Sequence, residues 1–194
     1  MFRFATPALA GILGALALAP AAFAELNPPA PDFYTCRDTG TQTICHAHRA
    51  FREDPYDSEI PCGFTVYDEG DITQVASRYY NADGNLVRRV INETWNNAFW
   101  SNPLTGDTVP YTQRGITTEV LAVPGDLSTA TGTQTGQTQF TDPVTHKKVM
   151  RGAGRVVIAP DGSIESSSGP QWFIQAFYDG DLSVLDGVCA ALAR

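Results

Sequence analysis

The turn punctuation constrains this chain more than any other feature. Ala82-Asp83-Gly84 lies between "DITQVASRYY" and "NLVRRVINETW", and Pro160-Asp161-Gly162 lies between "GRVVIA" and "SIESSS". Both fit three-residue hairpin loops, in which a type I turn is followed by glycine in the left-handed region. Asn102-Pro103 and Thr105-Gly106 mark a third hairpin inside "WSNPLTGDTVPY", and Pro124-Gly125-Asp126 ends "GITTEVLAV". So divided, the chain offers roughly ten strand-like segments about 8–15 residues apart, with no alternation of strand and helix. The pattern predicts an all-β antiparallel fold, a β-barrel lipocalin-like in broad shape, with a β-sandwich as the alternative. Gly132, Gly136, Gly152 and Gly154 inside strand patterns favour the barrel, because such glycines mark bulges or sharp corners. "PQWFIQAFYD" reads as the most apolar strand. "DLSVLDGVCAALAR" reads as a short C-terminal helix capped by Asp181, with Leu182, Leu185, Val188, Cys189 and Leu192 near helical spacing.

The N-terminus predicts the compartment. Arg3 precedes the apolar run "ALAGILGALALA", and Ala22-Phe23-Ala24 is a small-x-small cleavage pattern. Residues 1–24 are read as a signal peptide cut after Ala24, because the run is too short to span a bilayer and Pro20 interrupts it. The expected organisation is then a leader over 1–24, an N-terminal arm, hairpin and surface loop over 25–61, and a barrel domain over 62–194. Within the second part, "ELNPPAPD" reads as a loose arm and residues 47–61 as a loop. Lysine and arginine total 13 against 21 aspartates and glutamates, a formal net charge of −8. That sign, with no basic run, argues against nucleic acid and anionic membrane surfaces as partners.

Four cysteines, Cys36, Cys45, Cys62 and Cys189, all follow the leader. In an exported chain an even number reads as disulfides, here with three connectivities to choose from. "YTCRDTGTQTICH" reads as a hairpin turning at Gly40-Thr41, and counting outward sets Cys36 opposite Cys45 at a non-hydrogen-bonded position, close enough for a bridge. Cys62 and Cys189 remain for the second.

Few residues point to chemistry. His46 and His48 are two apart and share a face of a strand, as in β-barrel metal sites, and His146 is a third candidate. Only one pair is visible, however, and both lie beside a bridged cysteine, so an exposed pair with no metal is the expectation. Asp179 and Asp181 lack the remaining positions of a calcium loop. No nucleophile elbow occurs, and nothing singles out a pair of carboxylates. Asn92-Glu93-Thr94 and "NPLTG" match a glycosylation sequon and a sorting signal by letters only. In a three-residue-loop register, Arg78 faces Arg88, and two opposed arginines repel unless an anion lies between them. The plain reading is a nearby carboxylate. The sharper one places Arg78 and Arg88 in the barrel interior, beside Tyr80, as contacts for an acidic head group. Trp95 and Trp100 flank "NNAF" and are either core or a rim on which a ligand stacks.

Taken together, "CGFTV", "YYNADGNLVRRV", "WSNPLTGDTVPY", "GAGRVVIAPDGSI" and "GVCAALA" make residues 62–192 resemble a group of small exported bacterial proteins common in actinomycetes. The resemblance implies export and a common fold, and it supports the Cys62–Cys189 bridge; it implies no activity. The sequence thus predicts a secreted, monomeric, non-enzymatic barrel without cofactor that binds a small apolar or amphipathic, lipid-like ligand. Arg78, Arg88, Tyr80 and Trp95 are its candidate contacts. An extracellular interaction module using loops such as 47–61 is the second reading, and a small-barrel cyclase or isomerase the third.

Overall fold

The computed structural model describes residues 24–194. Apart from Ala24, the expected leader lies outside the described residues. Eight strands form one sheet in sequence order, each antiparallel to the next: β1 (Thr35–Asp38), β2 (Thr43–Asp57), β3 (Tyr67–Tyr80), β4 (Leu86–Ser101), β5 (Thr108–Leu121), β6 (Ala130–Thr141), β7 (Lys148–Ile158) and β8 (Ile164–Ser168). The sheet is open, since β1 and β8 do not pair with one another. Two short helices follow, α1 (Trp172–Phe177) and α2 (Asp186–Leu192). The antiparallel all-β class and the short C-terminal helix agree with the sequence.

The hairpin turns form as their residues require. Asn81 N–H donates to Asn85 O at 2.9 Å, and Gly84, at φ +80°, supplies the left-handed step. Ala159 to Ser163 repeats this geometry, with Gly162 at φ +85°. Two further turns form a pair, of which the sequence reading marked the first as a hairpin and missed the second. Asn102 and Asp142 each open a six-residue turn, through Asn102 N–H to Asp107 O and Asp142 N–H to Lys147 O, both 2.9 Å. His146 occupies in the second turn the positive-φ position that Gly106 occupies in the first, at 58° and 82°. Both turns hold the C-terminus: Asn102 Nδ2 donates to Leu192 O at 3.0 Å, and Arg194 donates two hydrogen bonds to the Asp142 carboxylate.

Several expectations are corrected. Eight strands replace ten, because "FTVYDEG" and "DITQVASRYY" share β3, and "GITTEVLAV" continues β5. Residues 47–57 are strand rather than loop. Pro55 is tolerated because β2 bulges between Glu53 and Tyr56 and because this stretch is a sheet edge. Indeed β1 covers only Thr43–His46, so the outer side of β2 from Ala47 to Asp57 has no strand partner among the described residues. "PQWFIQAFYD" contains helix α1, an apolar run too short for its periodicity to distinguish helix from strand. The terminal helix is split. Asp181 caps a 3-10 turn, Leu182–Leu185, by accepting from Ser183 N–H at 3.1 Å, and α2 follows. The four strand glycines sit at no bulge. Instead Gly115, Gly136 and Gly154 face one another across three strands, and a Cβ on Gly136 would lie 2.5 Å from the Arg114 carbonyl oxygen.

The register of β3 on β4 also departs by one residue. Tyr80 pairs with Leu86 as expected, but Val87 is extra, so Tyr79 faces Arg88 and Arg78 faces Arg89. A one-residue slip moves a side chain to the opposite face. Arg88 therefore lies outside, over the Tyr79 ring at 5.4 Å, and the opposed pair Arg78–Arg88 is undone.

Both bridges form as expected, Cys36–Cys45 and Cys62–Cys189, with Cα separations of 3.9 and 5.3 Å. Two apolar clusters fill the inner face. The larger joins Trp100, Val109, Tyr111, Phe140 and Met150 to Leu185, Val188 and Leu192 of the C-terminal segment. The smaller joins Cys45, Tyr80, Leu86 and Leu121, and the N-terminal arm closes it with Leu26, Ala30 and Tyr34. The arm is docked rather than loose: Asn27 N–H donates to Gly84 O at 2.9 Å, and Leu86 N–H to Asn27 O at 2.8 Å.

Candidate functional site

Between the two apolar clusters the inner face turns polar. Successive pairings align Gln74, Glu93, Gly115, Gly136 and Gly154 across five strands. Without side chains, the three glycines leave space above this row. Gly152 adds to it, since a Cβ there would meet Trp172 Cδ1 at 2.7 Å. Trp172 and Phe173 of α1 overhang the space. The result is a groove of about 450 Å3 whose floor includes Gln74, Glu93, Gln113 and Gln134 and whose walls include Ile91, Val156 and Ile158.

The groove adjoins a second, more aromatic cleft of about 560 Å3, and Gln113, Trp172, Phe173 and Tyr178 border both. All three tryptophans of the chain, Trp95, Trp100 and Trp172, line this cleft. Its wall is a packed aromatic stack. Trp100 lies on Phe140 with ring centroids 4.4 Å apart, Phe140 stacks on Tyr111 at 4.8 Å, and Trp172 meets Trp100 edge-on at 5.6 Å. At the rim, Phe173, Phe177 and Tyr178 are exposed by 48%, 42% and 54%, which is unusual for side chains so apolar and so close together.

Inside this aromatic wall sits one carboxylate. Asp68 is buried, and its two oxygens accept from Tyr111 OH at 2.8 Å and Tyr56 OH at 3.2 Å. The Trp100 indole N–H lies near enough to help hold the carboxyl down, yet it completes no hydrogen bond of good geometry. Burial outweighs these donors and raises the Asp68 carboxyl above its ordinary value. Burial, reinforced by the Asp68 charge, pushes the Tyr56 phenol up to about 12 and raises Tyr111 further. In the groove, Glu93 accepts from Trp95 Nε1 at 2.6 Å and from Gln74 Nε2 at 3.0 Å. Four ion pairs occur among the described residues, and neither Asp68 nor Glu93 belongs to one.

Of the residues singled out by sequence, Trp95 and Trp100 reach this site. Tyr80 is fully buried in the smaller cluster. Arg78 points inward at the far end, where its Nη1 donates to Pro29 O at 3.2 Å and its guanidinium lies 5.2 Å from the Tyr34 ring. Arg89 faces it and pairs with Glu119, whereas neither Arg78 nor Arg88 has a carboxylate partner among the described residues. Arg88 is outside, and none of the three arginines borders either cavity. His46 and His48 alternate outward, His46 lying 2.9 Å from Ser77 Oγ, and no group of three potential metal ligands exists among the described residues. Asp68 escaped the sequence reading because "YDEGD" resembles an acidic turn. Its one signal is the alternation Asp68, Gly70, Ile72, which puts the carboxylate on the buried face of β3.

Comparison with protein-family models, with curated proteins and with solved structures gives no match. Among the described residues no helix is long and apolar enough to cross a membrane.

Proposed function

We propose that the protein is an exported, non-enzymatic binder of a small amphipathic ligand that lodges in the aromatic cleft. The observation that carries this reading is the convergence of all three tryptophans on one cleft of about 560 Å3 with exposed aromatic rings at its mouth. Ligand sites are concave and mostly apolar, with a few placed polar groups, and Asp68, Tyr111 and Gln113 are those groups here. Export is favoured by the leader-like N-terminus, the two disulfides and the resemblance of residues 62–192 to small exported proteins. The head-group role moves from Arg78 and Arg88 to the cleft, because neither arginine borders a cavity.

Intrinsic fluorescence tests the proposal directly, since every tryptophan reports on the cleft. Titration with a panel of small aryl and alkyl amphiphiles is expected to shift or quench the emission saturably, and Phe173→Ala, at the exposed rim, is expected to weaken binding. Emission unaffected by the whole panel, with no molecule retained in native mass spectra of protein from its own host, would refute it. One observation favours the enzyme reading in second place. A buried carboxyl raised by its surroundings and bonded to two phenols is equipped for general acid–base work. Turnover of a bound ligand, abolished by Asp68→Asn, would move the assignment there.

A further inference from the structure

Resting on the reading of the aromatic cleft as a ligand site, we infer that its ligand is a cation, an alkyl- or arylammonium whose charged end meets Asp68 within the ring wall. The first ground is a charge imbalance. Asp68 is 8% exposed, Glu59 stands at the same cleft, and among the described residues Asp68 forms no ion pair and no lysine, arginine or histidine borders the cleft. A buried carboxylate held only by neutral donors is costly, and a cation removes that cost.

The second ground is the wall itself. Tyr and Trp faces attract cations through their quadrupoles, more strongly when water is excluded. Tyr56, Trp95, Trp100 and Tyr111 surround the carboxylate side of the cleft. Third, each Asp68 oxygen takes one phenol proton and keeps acceptor capacity that the protein does not use up. The same features oppose an anion, which would enter beside two carboxylates with no basic group to receive it.

Three probes of closely similar size separate the alternatives: phenethylammonium, phenethyl alcohol and phenylacetate, each titrated by tryptophan fluorescence near neutral pH. The ammonium is expected to bind about tenfold more tightly than the alcohol, as one or two desolvated cation–ring contacts would give. Phenylacetate should bind most weakly. Asp68→Asn should remove the preference for the ammonium while keeping the alcohol. If the alcohol binds and the ammonium does no better, or if the preference survives in Asp68→Asn, the charge assignment is overturned and the cleft remains a ligand site. If none of the three binds, both fall together. Should Asp68→Asn not fold, the native protein serves alone. Its affinity for the ammonium must then fall on acidification as Asp68 takes up a proton, with Glu59, Glu53 and Glu93 the other carboxyls around it, while that for the alcohol stays level. Parallel profiles would overturn the inference.

Discussion

Removing the Cys62–Cys189 bridge should cost this protein a third or more of an ordinary domain's stability. The bridge joins residues 127 apart in sequence, and it ties α2 to the segment that leads into β3. A cross-link acts chiefly by shrinking the unfolded ensemble, with an entropy that grows as the logarithm of the loop. For a loop this long the loss is about 16 cal/mol/K, or about 5 kcal/mol at 25 °C. The Cys36–Cys45 bridge, spanning 9 residues, gives only about 2.6 kcal/mol by the same relation. Because small domains are stable by only about 5–15 kcal/mol, the double variant Cys62→Ala/Cys189→Ala should be marginal at room temperature. Urea unfolding followed by tryptophan fluorescence and far-UV circular dichroism measures the difference. The expected result is a large fall in midpoint, with Cys36→Ala/Cys45→Ala the milder of the two. A loss below about 2 kcal/mol for the long loop, or a greater loss for the short one, would refute the loop-entropy reasoning.

Three further outcomes follow from the geometry. Gly152→Ala places a methyl 2.7 Å from Trp172 Cδ1, so Trp172 must shift away; a red-shifted emission and a loss of about 1–3 kcal/mol in urea are expected. Arg78→Gln removes a hydrogen bond to Pro29 O and a contact with Tyr34. It should cost about 1 kcal/mol and speed hydrogen exchange at Leu86, whose N–H bonds the arm, with cleft binding untouched. Asp68→Asn should make the protein more stable near neutral pH and leave it unchanged in acid. With its folded value raised above 3.8, the native carboxyl is neutral and harmless at low pH, and the burial penalty enters as pH rises through the raised value. A thermal melting series across pH for both proteins checks the sign.

What the sequence disclosed was what neighbours in the chain determine. The Asp-Gly turns and the hairpin that sets Cys36 against Cys45 depend on a few consecutive residues and form as read, and Asp181 is a cap as read, though of a 3-10 turn rather than of the helix. Failures arose where distant strands decide. The single extra residue Val87 moved Arg88 from one face to the other, and no local pattern announces a bulge of that kind. Residues 47–57 look like loop because they are charged and hold a proline, properties that an edge strand shares. The cleft was illegible for the same reason. Asp68, Tyr111 and Trp172 are brought together only by the order of the strands and by the helix that follows them, whereas Trp95 was found because aromatic side chains merit attention wherever they occur.

The uncovered side of β2 has a consequence for how this protein behaves when crowded. An open row of backbone donors and acceptors invites a second copy to add its own strand, and so on without limit. From Arg52 to Asp57 the row is spoiled in three ways. Pro55 offers no N–H, the bulge after Glu53 throws the spacing out of step, and acidic side chains at Glu53, Asp54 and Asp57 repel their counterparts on an approaching twin. This stretch stops the sheet from propagating between molecules, which matters most in a chain whose sheet does not close on itself. Removing a charge and restoring the missing N–H there, with Pro55→Val and Asp54→Thr, would give the molecule an edge on which fibrils can grow.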